Sequence, residues 1–129
     1  MAYPSDLKYT KEHEWIKAEG GNATIGITPY AQESLGDIVF VELPKNAAEI
    51  TAGKTFGSVE SVKAVSDLFA PASGKVLESN AELATAPEKI NKDALAAWMI
   101  KIQLKDPNEL NSLMSASDYE KFIAEEGGH

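Results

Sequence analysis

Phe56-Gly57-Ser58-Val59-Glu60-Ser61-Val62-Lys63-Ala64-Val65-Ser66-Asp67-Leu68-Phe69-Ala70-Pro71-Ala72-Ser73-Gly74-Lys75-Val76 reads as two strand-like stretches with a lysine at the bend between them. Apolar residues recur at Phe56, Val59 and Val62 before the lysine and at Val65, Leu68 and Val76 after it, the pattern of a hairpin whose tip holds an amine out in water. The second strand is expected to end near Ser79-Asn80. A single charged residue in a turn is usually no more than a solvated side chain. An amine fixed on a rigid bend can also carry a covalently attached group, and the rest of the chain decides between these readings.

Upstream, residues 14–18 and 23–27 flank Glu19-Gly20-Gly21-Asn22, a glycine-rich turn that predicts an opening hairpin. Thr28-Pro29 supplies a cap and a first-turn proline for a short helix over 29–35, which Gly36 ends. Its Tyr30, Ala31, Ser34 and Leu35 are expected to face the sheet. Residues 37–43 alternate with both sides largely apolar, which predicts a central strand closed by Pro44.

Downstream, residues 81–96 carry mixed signals, including Pro87 and Asn91, and predict one short helical turn plus loop. Residues 97–104 return to the sheet with Trp98, Ile100 and Ile102 on one face. Asp106-Pro107-Asn108-Glu109 starts a helix before Leu110, Leu113 and Met114. Ser117-Asp118-Tyr119-Glu120 repeats that signal before Phe122 and Ile123, and Gly127-Gly128 is placed to end the second helix.

Of 129 residues, 43% are hydrophobic and 25% charged, enough for one packed core and too few for two ordinary domains. A single domain over 1–129 is expected, with its core at about 8–104 and a C-terminal helical segment at 106–126. The 20 acidic and 12 basic side chains leave a net charge of -8. That balance disfavours nucleic acid, since phosphate binding needs clustered positive charge, and favours partners with basic docking surfaces. No long apolar run and no basic start followed by an apolar core is visible, so neither membrane association nor a secretory leader is expected. The chain has no cysteine, which excludes disulfides and thiol catalysis of its own. Any dithiol chemistry must arrive with a cofactor.

The string Glu60-Ser61-Val62-Lys63-Ala64 with Ser66-Asp67 resembles the acceptor site of lipoyl domains and, among them, that of the H proteins of the glycine cleavage system. Further blocks resemble the same family in the same order. They are His13-Glu14-Trp15, Gly26-Ile27-Thr28 with Ala31-Gln32-Glu33, Leu35-Gly36-Asp37-Ile38-Val39-Phe40-Val41-Glu42-Leu43-Pro44, Ala70-Pro71 with Ser73-Gly74, and Trp98-Met99-Ile100-Lys101-Ile102. Together they cover nearly the full length. Biotin acceptors usually place methionines on both sides of the lysine, whereas here Val62 and Ala64 flank it.

The resemblance implies a mainly β fold, a barrel-sandwich hybrid of the lipoyl-domain type. It consists of two antiparallel sheets with a short helix after the first hairpin and two C-terminal helices. It also implies lipoate attached covalently to Lys63 and a non-catalytic carrier role. The arm would take the aminomethyl group of glycine from a pyridoxal-phosphate decarboxylase (P protein) to a tetrahydrofolate-dependent aminomethyltransferase (T protein). A dihydrolipoyl dehydrogenase (L protein) would then reoxidise the dithiol. The many rotatable bonds of such an arm let one carrier visit several active sites at high effective concentration.

A lipoate ligase or a lipoyl/octanoyl transferase would attach the arm, and the resemblance implies Glu60 and Gly74 in recognition of the acceptor hairpin. It implies Glu14 and Asp67 as carboxylates that shield the loaded arm; their plainer roles would be a strand-end charge and a turn cap. Two places depart from the family pattern. Glu12 stands where relatives often carry a small hydroxyl residue, and Asp93-Ala94-Leu95-Ala96-Ala97 where they have an aromatic residue and glycines before the tryptophan. No catalytic residue and no metal ligand are expected. The carrier is expected to be a monomer, in the cytoplasm if bacterial and in the mitochondrial matrix if eukaryotic.

Two rival readings use the same residues. A relay protein would hold a lipoyl or octanoyl group on Lys63 for donation to other lipoyl domains. A hydrolase would use His13 beside Glu14, yet no serine, cysteine or second histidine is placed by a motif to complete a catalytic group. A structural hydrogen-bonding role is the commoner fate of such a histidine, and the same scarcity disfavours a zinc site. Trp15 and Trp98 sit on strand-like stretches and are expected in the core. Gly53 and Gly57 near Lys54 do not form a phosphate loop, since no glycine-rich turn leads there into a helix.

Overall fold

The computed structural model describes residues 3–127. Its first half contains β1 (Lys8–Tyr9), β2 (Glu14–Glu19), β3 (Asn22–Ile27), α1 (Pro29–Leu35), β4 (Ile38–Glu42), β5 (Glu49–Ile50) and β6 (Thr55–Ser61). The second half adds β7 (Val65–Phe69), β8 (Gly74–Ser79), α2 (Glu82–Thr85), α3 (Lys89–Lys92), β9 (Ile100–Leu104), a 3-10 helix (Pro107–Ser112) and α4 (Ala116–Gly127). Gly128, expected to help end α4, lies outside the described residues.

The strands form a six-stranded sheet in the order β1-β2-β3-β9-β8-β5 and a three-stranded sheet in the order β4-β6-β7. All pairings are antiparallel. Neither sheet closes on itself, so the barrel-sandwich hybrid consists of two open sheets that share one core. Ile25, Val76, Ile100 and Ile102 of the larger sheet meet Val41, Val59 and Leu68 of the smaller. A second cluster of Tyr3, Leu7, Tyr9, Trp15, Ala116 and Tyr119 lies under α4, with the rings of Tyr9 and Tyr119 stacked 4.8 Å apart.

The opening hairpin turns on Gly20-Gly21, with Gly20 at φ 65, the left-handed conformation that only glycine adopts without strain. α1 is capped as its residues dictate: Thr28 Oγ1 accepts from the Ala31 N–H at 3.2 Å, and Gly36 at φ 77 closes the last turn. Ala31 and Leu35 pack on the core, Tyr30 turns to His13 and Ser34 is exposed, because a seven-residue helix presents one i, i+4 pair to a surface.

Several expectations need correction. β4 is an edge strand, and β6 is the central one. A bulge between Ile38 and Phe40 turns both Ile38 and Val41 inward, so apolar residues on both sides of the strand record a break in alternation rather than burial of both faces. The second hairpin strand does not run to Ser79. It ends at Phe69, and after Ala70-Pro71-Ala72-Ser73 the chain crosses to the larger sheet as β8. Ser73 is held at this crossing by Glu109, whose Oε1 accepts from the Ser73 N–H at 2.7 Å. Val76 therefore lies in the other sheet from Leu68.

Residues 81–96 form two short helices instead of one turn, each anchored by a single buried side chain, Leu83 and Ile90. The last strand begins at Ile100, and its inward residues are Ile100, Ile102 and Leu104. Trp98 precedes it, half-buried against the second cluster, with Lys101 Nζ 4.6 Å from its ring. The first C-terminal helix is 3-10, capped by Asp106 as expected. α4 starts one residue before Ser117, with Ser115 Oγ accepting from the Asp118 N–H. β1 was too short to show a period; Tyr9 is fixed there by backbone hydrogen bonds to Met114.

Candidate functional site

The three-stranded sheet presents the β6–β7 hairpin, and Lys63 stands exposed at its two-residue tip. Two-residue hairpin loops usually need left-handed residues, but neither Val62 nor Lys63 has a positive φ. Ser61 compensates. Its buried Oγ accepts from the N–H groups of Lys63 and Ala64, both at 3.1 Å, while the Ser61 N–H donates to the Ala64 carbonyl at 2.8 Å. The Val62 N–H donates to the Asp37 carbonyl at 3.0 Å, tying the tip to the segment before β4.

The backbone of the lysine is therefore fixed and its side chain is not. No ion pair holds Lys63 among the described residues. Val62 and Val65, two of the apolar residues that mark the hairpin, are 67% and 68% exposed. They flank the amine with apolar surface, Val65 because it pairs with Glu60 on the outer face of the sheet.

Glu60 is exposed on β6, between Phe40 of β4 and Val65 of β7. Asp67 is exposed on the same outer face, beside Ser58. Glu14 lies elsewhere: it is 1% exposed, and its Oε2 accepts from the Phe69 N–H at 3.2 Å while Oε1 accepts from the Thr10 hydroxyl. Burial pushes its pKa up to about 7, against the lowering by those two hydrogen bonds. No hydrogen bond joins Glu14 and Asp67 among the described residues. Glu12 is exposed, and its charge adds to the rise at Glu14.

Gly74 is on β8 between Ile50 and Leu104, in the sheet that does not carry Lys63. A Cβ at this position would lie 2.3 Å from the Gln103 carbonyl oxygen, so close approach of β9 requires the glycine.

His13 has a structural setting. It sits at φ 72, with Nδ1 2.8 Å from the Tyr119 hydroxyl and Nε2 3.1 Å from Glu126 Oε2. The Tyr119 hydroxyl is in turn 2.7 Å from Thr28 Oγ1, the cap of α1. Burial lowers the His13 pKa, with Glu126 and Glu12 opposing. The histidine thus joins α4 to α1 and to the start of β2.

Three residues around the lysine have a role there that the chain alone did not assign: Ser61, Asn91 and Gly36. Ser61 stood inside the acceptor string, and its distance of two from Lys63 was a usable signal for a side-chain-closed turn. Gly36 was legible only as the end of the first helix, and its contacts with Asn91 and Lys63 span separations that leave no local mark.

An exposed primary amine at a rigid two-residue tip, with no ion pair among the described residues, suits an amide-linked acyl chain, which needs reach and an unobstructed nitrogen. The model of the family described as glycine cleavage H-protein matches residues 7–126. The chain belongs to this family. The glycine cleavage system H protein of Koribacter versatilis is 71% identical over 129 residues, covering 100% of both chains. That of Acidobacterium capsulatum is 62% identical over the same length, again covering 100% of both. The crystal structure of a glycine cleavage system H protein from Mycobacterium marinum superposes with a TM-score of 0.85 at 40% identity, over 98% of this chain and 100% of that one. That likeness extends to the open, mainly β architecture described above.

Proposed function

We propose that this H protein is a non-catalytic lipoyl carrier of the glycine cleavage system, with lipoate joined to Lys63 as an amide. The observation that carries the reading is the exposed amine of Lys63, without an ion pair among the described residues, on a backbone that Ser61 fixes at the hairpin tip. Attachment forms a bond between Lys63 Nζ and the carboxyl carbon of an activated acyl group; the activating group leaves and the amine loses a proton. When bound, the cofactor supplies a disulfide at the end of a long arm, able to accept an aminomethyl group on sulfur and to pass between enzymes.

The chain's own residues anchor and present that arm. Ser61 and the Asp37 carbonyl fix the tip, so motion is confined to the side chain and what it carries. Glu60 and Asp67, on the outer face of the same sheet, add negative charge where a basic partner surface could approach. Partners in this reading are the P, T and L proteins and the ligase or transferase that loads Lys63. Asp67, exposed on the outer face of β7, is proposed to meet the cationic amine of the loaded arm as a carboxylate, and Glu14 to join it once its buried carboxyl is released from Phe69 and Thr10. Gly74 is proposed as a recognition residue only through the strand spacing it permits.

Incubation with lipoate, ATP and a lipoate ligase, followed by glycine–bicarbonate exchange with the P protein, tests this. The carrier reading requires a mass gain of one lipoyl group and exchange that depends on it. A loaded protein that fails to support exchange would instead be a relay, and activity on an ester surviving Lys63→Ala would favour the hydrolase.

A further inference from the structure

Beneath the tip runs the short connection from Gly36 to Ile38 between α1 and β4, and it is held from a distant part of the chain. Asn91 of α3 donates through Nδ2 to the Gly36 carbonyl at 2.8 Å and accepts at Oδ1 from the Ile38 N–H at 2.9 Å. Both polar atoms of one side-chain amide are thus spent on a three-residue segment 53 to 55 positions away. Asp37, between them, receives the Val62 N–H on its carbonyl.

The lysine stem crosses the same segment. Gly36 sits at φ 77, and a Cβ there would lie 3.4 Å from Lys63 Cε and 3.8 Å from Nζ. The floor under the side chain, Gly36, and the strut beside the tip, the Asp37 carbonyl, therefore share one fastening. α3 is only four residues long and has little stability of its own, and Ile90 anchors it to the core next to Asn91. A mid-helix asparagine is a poor helix former, so its place here is explained by what it holds.

We propose that Asn91 is a positioning residue for acylation of Lys63, acting through the 36–38 segment to aim the amine at an activated acyl donor. This rests on the reading of Lys63 as the attachment site. Asn91 is half-buried and both polar atoms of its amide are bonded within the chain, so its loss lowers the fraction of docked complexes in reactive geometry rather than docking itself. The effect belongs in kcat.

The test uses the full chain with lipoate, ATP and a lipoate ligase. Asn91→Ala is expected to lower kcat for acylation about tenfold while KM stays within about twofold of wild type. Asn91→Asp, which keeps the acceptor for Ile38 and loses the donor to Gly36, falls between. Amide exchange followed by NMR supplies the local readout: Val62 and Ile38 lose protection in Asn91→Ala, while Val59 and Ile102 in the core keep theirs, a pattern that general destabilisation does not produce. Should Asn91→Ala not fold, a lowered kcat in Asn91→Asp supports the proposal and a wild-type kcat overturns it. Wild-type kcat in both variants, or undiminished protection at Val62, also overturns it. Lys63→Arg is the separate control: continued acylation of that variant would remove the acceptor reading, whatever Asn91 does.

Discussion

Glu14, buried in the larger sheet, ends on the backbone of Phe69 at the base of the acceptor hairpin, its Oε2 3.2 Å from that N–H. A carboxyl group with no ion-pair partner among the described residues thereby joins the two sheets. Its pKa of about 7 lies above the ordinary value of 4.5, so the folded state holds a proton there that the unfolded chain releases. The stabilising effect of this group is complete below pH 4.5 and is lost as pH rises to about 7. The shift corresponds to about 3 kcal/mol.

Glu14→Gln keeps an acceptor for Phe69 and turns its amide to Thr10. Urea unfolding between pH 5 and 8 is expected to show wild-type stability falling through this window by up to about 3 kcal/mol more than the variant's. Equal pH slopes in the two proteins would contradict the buried ionisation.

His13 works in the opposite sense. Its folded pKa is lowered by burial, so the neutral ring is favoured in the native state, and this contribution to stability is complete above 6.5 and is lost as pH falls from there through the lowered folded pKa. Tyr119→Phe removes the hydroxyl shared by His13 and Thr28 and is expected to cost about 1–3 kcal/mol, read by thermal unfolding and by faster amide exchange in α4. A variant as stable as wild type would show that the network does not hold the helix.

Ser61→Ala withdraws the acceptor used by the amides of Lys63 and Ala64. Both amides are near the surface and can turn to water, so the cost in stability should be small, about 1 kcal/mol. Exchange at those two amides should rise and lipoylation should slow, with Ser61→Thr restoring both. Unchanged exchange at the tip would mean that the hydroxyl does not shape the turn.

Gly74→Ala forces a methyl group against the Gln103 carbonyl, and Gly57→Ala meets the Glu42 carbonyl in the same way, each at 2.3 Å before relaxation. Each is expected to destabilise by about 3 kcal/mol, at the upper end for overpacking, because the obstacle is backbone in a neighbouring strand. Denaturant midpoints equal to wild type would refute this.

What could be read directly from the chain was local. The bend at Lys63, the Thr28 cap with Pro29 and Gly36, the Gly20-Gly21 turn and the Asp106 start all depend on neighbours within a few residues. The edge position of β4 was hidden because a bulge puts Ile38 and Val41 on one side and mimics two-sided burial. The break between β7 and β8 was hidden because apolar spacing continues across Ala70-Pro71, although the chain changes sheets there. The exposure of Val65 follows from its pairing with Glu60 on the outer face, a register that its apolar character does not report. Glu14 on Phe69 and Asn91 on Gly36 are each 55 residues apart, and no periodicity reports such pairings.

Intact-mass analysis with peptide mapping, on wild type and Lys63→Arg after incubation with lipoate, ATP and a lipoate ligase, tests the central claim most directly. Wild type should gain one lipoyl group on the peptide containing Lys63, and Lys63→Arg should gain none. A wild-type chain that stays unmodified under conditions that load another H protein, or a lipoyl group found on a different lysine, would contradict the account.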